Sequence, residues 1–255
     1  MKVNVYTKEG NVSHTMDLPD VFNSQLRRDV IRRAHRAISL SLRQPWGSKP
    51  FAGMRQVGHN LGANHGIARL PRVSGGNRGV ILASMVGGRS AHSPRTERNL
   101  YVKINKKERK MARDSAIAFT ASLEDVKKRG HRISGEVTLP IIVDSSVTGI
   151  KKAKDAVSFL KSIGIYDDIT RAKEGTRVRA GRGKSRGRLY KQPKSILIVR
   201  ENGEDMSAFT DLPGVDMATP ESMSLRKLAP GGIPGRLTMF TVSAMERIGK
   251  VKQDA

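Results

Sequence analysis

A chain of 255 residues is long enough to bury a sizeable core, although only 37% of its residues are hydrophobic. Lysine and arginine number 47 against 23 aspartates and glutamates, and the resulting formal charge of +24 opposes compaction unless an anion neutralises it: nucleic acid first, then an acidic membrane surface or an acidic protein. The absence of cysteine excludes disulfides and thiolate metal sites, the opening MKVNVYTKEGNVS lacks the apolar run of a signal peptide, and no apolar stretch approaches the roughly 20 residues of a membrane span, so a soluble cytoplasmic protein is expected.

Taken in chain order, VNVYT alternates like a short strand. The spacing then predicts a helix from Phe22 to about Leu42, with Leu26, Val30, Ala34, Ala37 and Ile38 on one apolar stripe. Arg28, Arg32 and Arg36, four apart, lie on another face, either as a solvated surface or as a rail facing phosphates. A second helix is predicted from Asn105, which can cap it with Glu108 three residues on, as far as about Leu123. LPIIV at 139–143 reads as a buried parallel strand. IKKAKDAVSFLKSIG reads as a helix with Ala153, Val157 and Leu160 on one face, stopped by Gly164. SILIV at 195–199 and LTMFTV at 237–242 are two further buried strands, the last followed by a short helix from about Ser243. Strands alternating with helices predict a three-layer α/β/α domain with a mostly parallel central sheet, built from residues 1–42 and 100–255.

Residues 43–99 fit no such element and form a long basic non-globular loop inserted in that domain. No acid occurs between Val30 and Thr96, while Arg43, Lys49, Arg55, Arg69, Arg72, Arg78, Arg89, Arg95 and Arg98 are spread along the segment among single and paired glycines. A loop of this length in a compact domain is functional or disordered. Apolar residues such as Phe51, Met54, Leu61 and Ile67 interrupt the arginines, unlike the composition of a solubilising disordered tail. Arginine predominates over lysine, which favours bidentate grip on phosphate, and glycine lets backbone come close to a ligand. The segment is expected to fold against a polyanion.

A second basic block, RAKEGTRVRAGRGKSRGRLYKQPK at 171–194, holds Glu174 as its one acid among ten cations, including Arg177, Arg179, Arg182, Lys184, Arg186, Arg188 and Lys191. Its GKS triplet is no nucleotide loop. The phosphate-loop pattern needs a glycine at 178, which is Val178, and the dinucleotide pattern needs one at 186, which is Arg186. The six histidines make no metal-binding pair with a nearby glutamate, and no Gly-x-Ser-x-Gly elbow occurs. Asp144, Asp167 and Asp168 suit turns and caps. Aromatic residues at 4% argue against base stacking as the main mode of contact. An RNA- or nucleotide-processing enzyme would have to work through Asp144, the one acid near the end of a buried strand, and a chromatin-type DNA binder would use the same cations on duplex DNA.

The blocks VGHNLGANHGIARLPRVSGG, GGRSAHSPRTERN, HRISGEVTLPIIV, RVRAGRGKSRGRLYKQPKSILIV and LAPGGIPGRLTMFTVSAM together resemble the ribosomal protein L-four family of the large subunit, of the archaeal and eukaryotic type. The likeness runs over nearly the whole chain, and AGRGKSRGR with LAPGGIPGRLT is its specific signature. One departure falls in the loop, where the family's Gly-x-Gly-Arg is Gly62, Ala63, Asn64 and His65. The resemblance implies an α/β domain on the outside of the large subunit and an extension that penetrates its rRNA. It further implies binding early in assembly and a loop tip in the wall of the nascent-polypeptide exit tunnel beside ribosomal protein L-twenty-two. By position the tip is about Gly62 to Arg72. Gly62, Asn64, His65, Gly66, Ile67 and Arg69 are its candidate tunnel-facing residues, and the basic residues named above are the candidate rRNA contacts. No catalysis, cofactor, metal, membrane or small-molecule substrate is implied.

Overall fold

The structure is a computed structural model of the chain and describes residues 1–135 and 137–251; Glu136, inside the 131–143 block, and residues 252–255 lie outside it. In chain order the strands are β1 (Lys2–Tyr6), β2 (Val12–Asp17), β3 (Gly58–His59), β4 (Arg72–Val73), β5 (Ile141–Val143), β6 (Arg177–Val178), β7 (Tyr190–Lys191), β8 (Leu197–Val199), β9 (Asp216–Ala218) and β10 (Thr238–Thr241). The α-helices are α1 (Arg28–Ser41), α2 (Lys106–Ala118), α3 (Leu123–Arg129), α4 (Ala153–Ile163), α5 (Tyr166–Glu174), α6 (Leu225–Leu228) and α7 (Val242–Val251). Contacts divide the chain into two units, Met1–Ser39 with Lys103–Ala255, and Leu40–Val102.

The first unit is built on a six-stranded sheet in the order β2-β1-β5-β10-β8-β9. Only β1 and β2 run antiparallel; β10 is parallel to both neighbours, with Phe240 level with Ile142 on one side and Val199 on the other. Strands β5 and β8 are short apolar runs and β10 sets Met239 and Phe240 between two threonines; all three are buried at every position, as strands covered on both faces must be. Because side chains alternate along a strand, each feeds two layers. Ile142, Leu197, Val199 and Phe240 enter one, which they share with Ile31 and Ala34 of α1, Ile117 of α2 and Met245 of α7. Ile141, Val143, Ile198 and Met239 enter the other, with Phe159 and Leu160 of α4 and Ile169 of α5. An edge-to-face ring pair sits in each layer, Phe22–Phe240 at 6.0 Å and Phe159–Phe209 at 6.2 Å. This is the three-layer α/β/α arrangement with a mostly parallel sheet that the strand and helix patterns predict.

Local expectations differ at four places. Residues Asp20–Asn23 form a 3-10 turn, and α1 starts only at Arg28, so Leu26 is exposed rather than part of the apolar stripe, which Ile31 completes instead. At α2, Asn105 occupies the cap position without a side-chain cap bond, because Glu108 reaches Arg33 at 2.9 Å rather than back to the helix start. The helix predicted to run to Leu123 stops at Ala118. A new helix, α3, begins after Ser122, whose hydroxyl accepts from the Asp125 amide. On α4 the buried face is Ala156, Phe159, Leu160 and Ile163; Ala153 is exposed and Val157 half-buried. Gly164 does end that helix in the left-handed region, at φ 82°.

The second unit, Leu40–Val102, has little regular structure. Strands β3 and β4 pair antiparallel, Gly58 with Val73 and His59 with Arg72, and Gly79 bridges back to Arg72. The buried Val80 is its nearest approach to a core. A Cβ on Gly58 would lie 2.2 Å from Val80 Cγ2, so only glycine lets the ladder close over that side chain. Further out, Ser48 N–H donates to the Pro94 carbonyl at 2.9 Å, and a Cβ on Gly47 would meet that same carbonyl at 2.8 Å. The two limbs of the segment are thus pinched together by backbone contact.

Candidate nucleic-acid interface

The Lys and Arg ion pairs among the described residues all lie in the first unit and involve seven of its cations. Arg27 pairs with Asp29, Arg28 with Asp125, Arg33 with Glu108, Arg171 with Asp168, Lys194 and Arg236 with Asp216, and Arg247 with Glu201 and Glu221. Arg28 also lies 5.5 Å above the Phe119 ring, so of the arginine stripe on α1 it serves packing, while Arg32 and Arg36 stay exposed. None of the sixteen candidate contact residues, Arg43, Lys49, Arg55, Arg69, Arg72, Arg78, Arg89, Arg95, Arg98, Arg177, Arg179, Arg182, Lys184, Arg186, Arg188 and Lys191, is in an ion pair among the described residues.

Within the second unit, Arg72 and Arg89 are half-buried and the other seven of these cations are exposed. Arg72 donates from Nη1 to the Asn77 carbonyl, which ties β4 to the turn that follows, and its Nε is buried with no acceptor. The tip beyond β3 is shaped by backbone conformation and one local side-chain bond. Gly62, Asn64 and Gly66 have φ of 86°, 68° and 65°, and nothing lies within 4 Å of a Cβ placed on either glycine. Asn60 accepts the Gly62 N–H through its side-chain oxygen at 3.0 Å, a turn held by one local bond. His65, Ile67 and Arg69 are exposed on this tip.

The second basic block folds as a hairpin in which β6 and β7 pair antiparallel, Arg177 with Lys191 and Val178 with Tyr190. Lys184–Arg186 form a 3-10 turn at its end, closed by Gly187 at φ 73°. Of its cations Arg179 is the half-buried one; its guanidinium donates to the carbonyls of Arg188 at 3.2 Å and Tyr190 at 3.4 Å, bracing the hairpin, while Arg177, Arg182, Lys184, Arg186, Arg188 and Lys191 are exposed.

A buried polar cluster that the sequence does not announce fastens the base of this hairpin. Asp168, on α5, accepts from Ser195 Oγ at 2.7 Å, Arg171 Nε at 2.8 Å, the Arg132 amide at 3.1 Å and His131 Nδ1 at 2.9 Å. Desolvation pushes the Asp168 carboxyl up, but the hydrogen bonds from His131, Arg171 and Ser195 overcome it and hold the group below the usual carboxylate range. Burial in turn pushes the His131 imidazole below its ordinary value. Arg171 also donates to the Lys194 carbonyl at 2.9 Å, and the two ends of the hairpin meet where a Cβ on Gly175 would lie 2.6 Å from Pro193. The sole hint in sequence is the Asp168–Arg171 spacing of three on a helix. Asp168 is therefore an anchor rather than a turn residue.

Asp144 follows β5 at the start of a 3-10 turn, where hydrogen bonds from Ser145 and Ser146 hold its carboxyl low, and no group of metal-ligating side chains occurs among the described residues. No helix is long and apolar enough to cross a membrane among the described residues.

The family model described as ribosomal protein L4/L1 family matches residues 16–251. The large ribosomal subunit protein uL4 of Thermoplasma acidophilum is 60% identical over 252 residues, covering 99% of each chain. Its namesake in Thermoplasma volcanium is 58% identical over 247 residues, 97% of each chain. That of Archaeoglobus fulgidus is 44% identical over 252 residues, 98% of this chain and 99% of its own. With a family model over most of its length and archaeal relatives over nearly all of it, the chain belongs to the ribosomal protein L4/L1 family, in its archaeal form, a family of structural proteins and not of enzymes.

Proposed function

We propose that the chain is a structural constituent of the large ribosomal subunit in the cytoplasm, binding large-subunit rRNA through residues 43–99 and the 177–191 hairpin. In this reading it joins the rRNA early in assembly. Its tip, about Gly62 to Arg72, forms part of the exit-tunnel wall beside ribosomal protein L-twenty-two and in reach of the nascent polypeptide. The observation that carries the reading is the missing counter-charge: the ion pairs among the described residues lie in the α/β unit, and none of them reaches the sixteen cations of the two extended segments. Phosphates supply the missing counter-charge. Packing against RNA likewise replaces the core that a segment of exposed Leu61, Ile67 and Val86 does not build for itself. Each phosphate neutralised releases counterions, so affinity falls by roughly 0.7–0.9 log units per log unit of salt for every contact. The names of the relatives, each a large ribosomal subunit protein, support the same assignment.

Sedimentation tests the assembly claim: a tagged copy travels with large subunits and leaves them only in high salt, whereas release in a low-salt wash, or equal affinity for duplex DNA and rRNA of the same length, refutes it. A photo-crosslinker at Ile67 in ribosomes stalled on a nascent chain tests the tunnel claim. An adduct with the nascent peptide is expected, and adducts with rRNA alone would remove Ile67 from the tunnel wall.

A further inference from the structure

The chain holds one tryptophan, four tyrosines and six phenylalanines. Seven of these rings belong to the core: Tyr6 and five phenylalanines are buried, and the half-buried Tyr166 packs against the same layer. The other four, Trp46, Phe51, Tyr101 and Tyr190, are 59%, 71%, 65% and 62% exposed. All four lie in the basic segments, three within Leu40–Val102 and the fourth on β7 of the second hairpin.

Each of these rings is flanked on both sides by a cation no more than four positions away: Trp46 by Arg43 and Lys49, Phe51 by Lys49 and Arg55, Tyr101 by Arg98 and Lys103, Tyr190 by Arg188 and Lys191. None has a ring partner or a cation over its face among the described residues, whereas six of the seven core rings either pair with each other or, like Phe119 and Tyr166, lie under a cation. Two of the four are set by backbone. Trp46 immediately precedes Gly47, where close contact with Pro94 joins the limbs of the segment. Phe51 has φ 58°, a region that bulky L residues avoid, and is held there by the Ala52 N–H to Lys49 O and Met54 N–H to Phe51 O bonds.

We propose that Trp46, Phe51, Tyr101 and Tyr190 are base-stacking residues, each laying an exposed ring against an unpaired base of large-subunit rRNA while the flanking cations hold the phosphates on either side. This rests on the rRNA-binding reading and adds bases to an interface otherwise made of phosphate contacts. Unpaired RNA bases expose π faces that aromatic side chains cover without regard to sequence, and a cation–ring–cation order matches the phosphate–base–phosphate order of a nucleotide strand. The low aromatic content, which argues against stacking when averaged over the chain, reverses its meaning once the core rings are set apart: every exposed ring is in a basic segment.

The single tryptophan makes the test specific, because emission excited beyond the tyrosine absorption band reports Trp46 alone. The full-length protein is titrated with large-subunit rRNA and, separately, with inorganic polyphosphate, binding being followed independently by filter retention. Stacking predicts that rRNA quenches the emission and shields it from acrylamide, while polyphosphate binds and changes neither. Retention of rRNA with emission and acrylamide access unchanged overturns the stacking role and leaves phosphate binding standing; equal quenching by polyphosphate does the same. Failure to retain rRNA at all overturns the underlying reading as well. Trp46→Ala is expected to weaken rRNA binding roughly 5- to 150-fold, with the slope of log affinity against log salt and the melting temperature unchanged, and Trp46→Phe to restore most of the loss. A fall in melting temperature with unchanged rRNA affinity would make Trp46 a structural residue and overturn the assignment.

Discussion

Replacing Arg182, Arg186 and Arg188 together by alanine isolates the electrostatic part of the interface from folding. All three side chains are exposed and none has a carboxylate partner among the described residues. The bonds that shape the hairpin use the backbone at these positions, from Ser185 Oγ to the Arg182 carbonyl and from Arg179 Nε to the Arg188 carbonyl, and alanine leaves both in place. Stability should therefore change by less than about 0.5 kcal/mol. Binding should change a great deal. If each guanidinium neutralises one phosphate, the slope of log affinity against log salt falls by about 2–3 units, and between 50 and 200 mM salt wild type loses roughly 20- to 40-fold more affinity than the variant. Filter binding to an rRNA domain fragment over a salt series measures that slope, and thermal melting of the same preparations controls for folding. An unchanged slope with an unchanged melt would show that these arginines touch solvent and not phosphate, and would take the hairpin out of the interface.

Arg236→Met is expected to cost about 3–5 kcal/mol in urea denaturation, because the fully buried guanidinium pairs with Asp216 and donates to the carbonyls of Ser195, Lys227, Ile196 and Gly214, all of which would be left short of a donor. Stability should also fall with acid in two steps. The His131 imidazole is pushed down by burial, so the unfolded chain takes up its proton more readily; the stability this confers is complete above the unfolded value near pH 6.5 and is lost as pH falls below it. The lowered Asp168 carboxyl adds a second loss below about pH 4, again because the unfolded state binds the proton first. Urea midpoints at pH 8, 6, 5 and 4 measure both steps; His131→Gln should flatten the first, and a wild-type midpoint constant from pH 8 to 5 would contradict the burial argument. Deleting residues 58–79 should leave the melting temperature of the α/β unit within about 2 °C of wild type, since only a change of some tenths of a kcal/mol is expected for a segment outside its core. A larger drop would mean that the segment carries part of that core.

The strands that the sequence reveals are those whose burial is unconditional. LPIIV, SILIV and LTMFTV are covered on both faces, so they are apolar at all positions but Ser195, Thr238 and Thr241 and stand out as runs. β2 is the counterexample. Its residues VSHTMD are exposed at all positions but Met16, and it is a strand because β1 offers it hydrogen bonds, a cause absent from its own pattern. α5 hides for a different reason: its buried face includes Asp168, a residue that reads as polar until Ser195, Arg171 and His131 are seen to surround it. The capping box at Asn105 fails because a tertiary partner, Arg33, competes successfully for Glu108. In each case a contact distant in sequence outweighs a local preference.

Charge was legible in the other direction. Residues 40–102 carry nine cations to one acid and residues 171–194 carry ten to one, so these two stretches supply +17 of the +24. That excess could have been cancelled by acids from elsewhere in the fold, and sequence cannot say whether it was. The structure shows that two acids near the hairpin are already taken, Asp168 by Arg171 and Asp216 by Lys194 and Arg236, while the block's own acid, Glu174, is exposed at the hairpin's base and can offset only one of its cations. The two members of the basic block engaged in this way, Arg171 and Lys194, stand at its ends and fix the hairpin to the α/β unit, which leaves Arg177 to Lys191 as the part that faces outward uncompensated. The polyanion binding proposed for this block rests on the way the fold distributes its carboxylates: Asp168 and Asp216 serve the anchor points and leave the hairpin itself in charge deficit, which phosphate would balance.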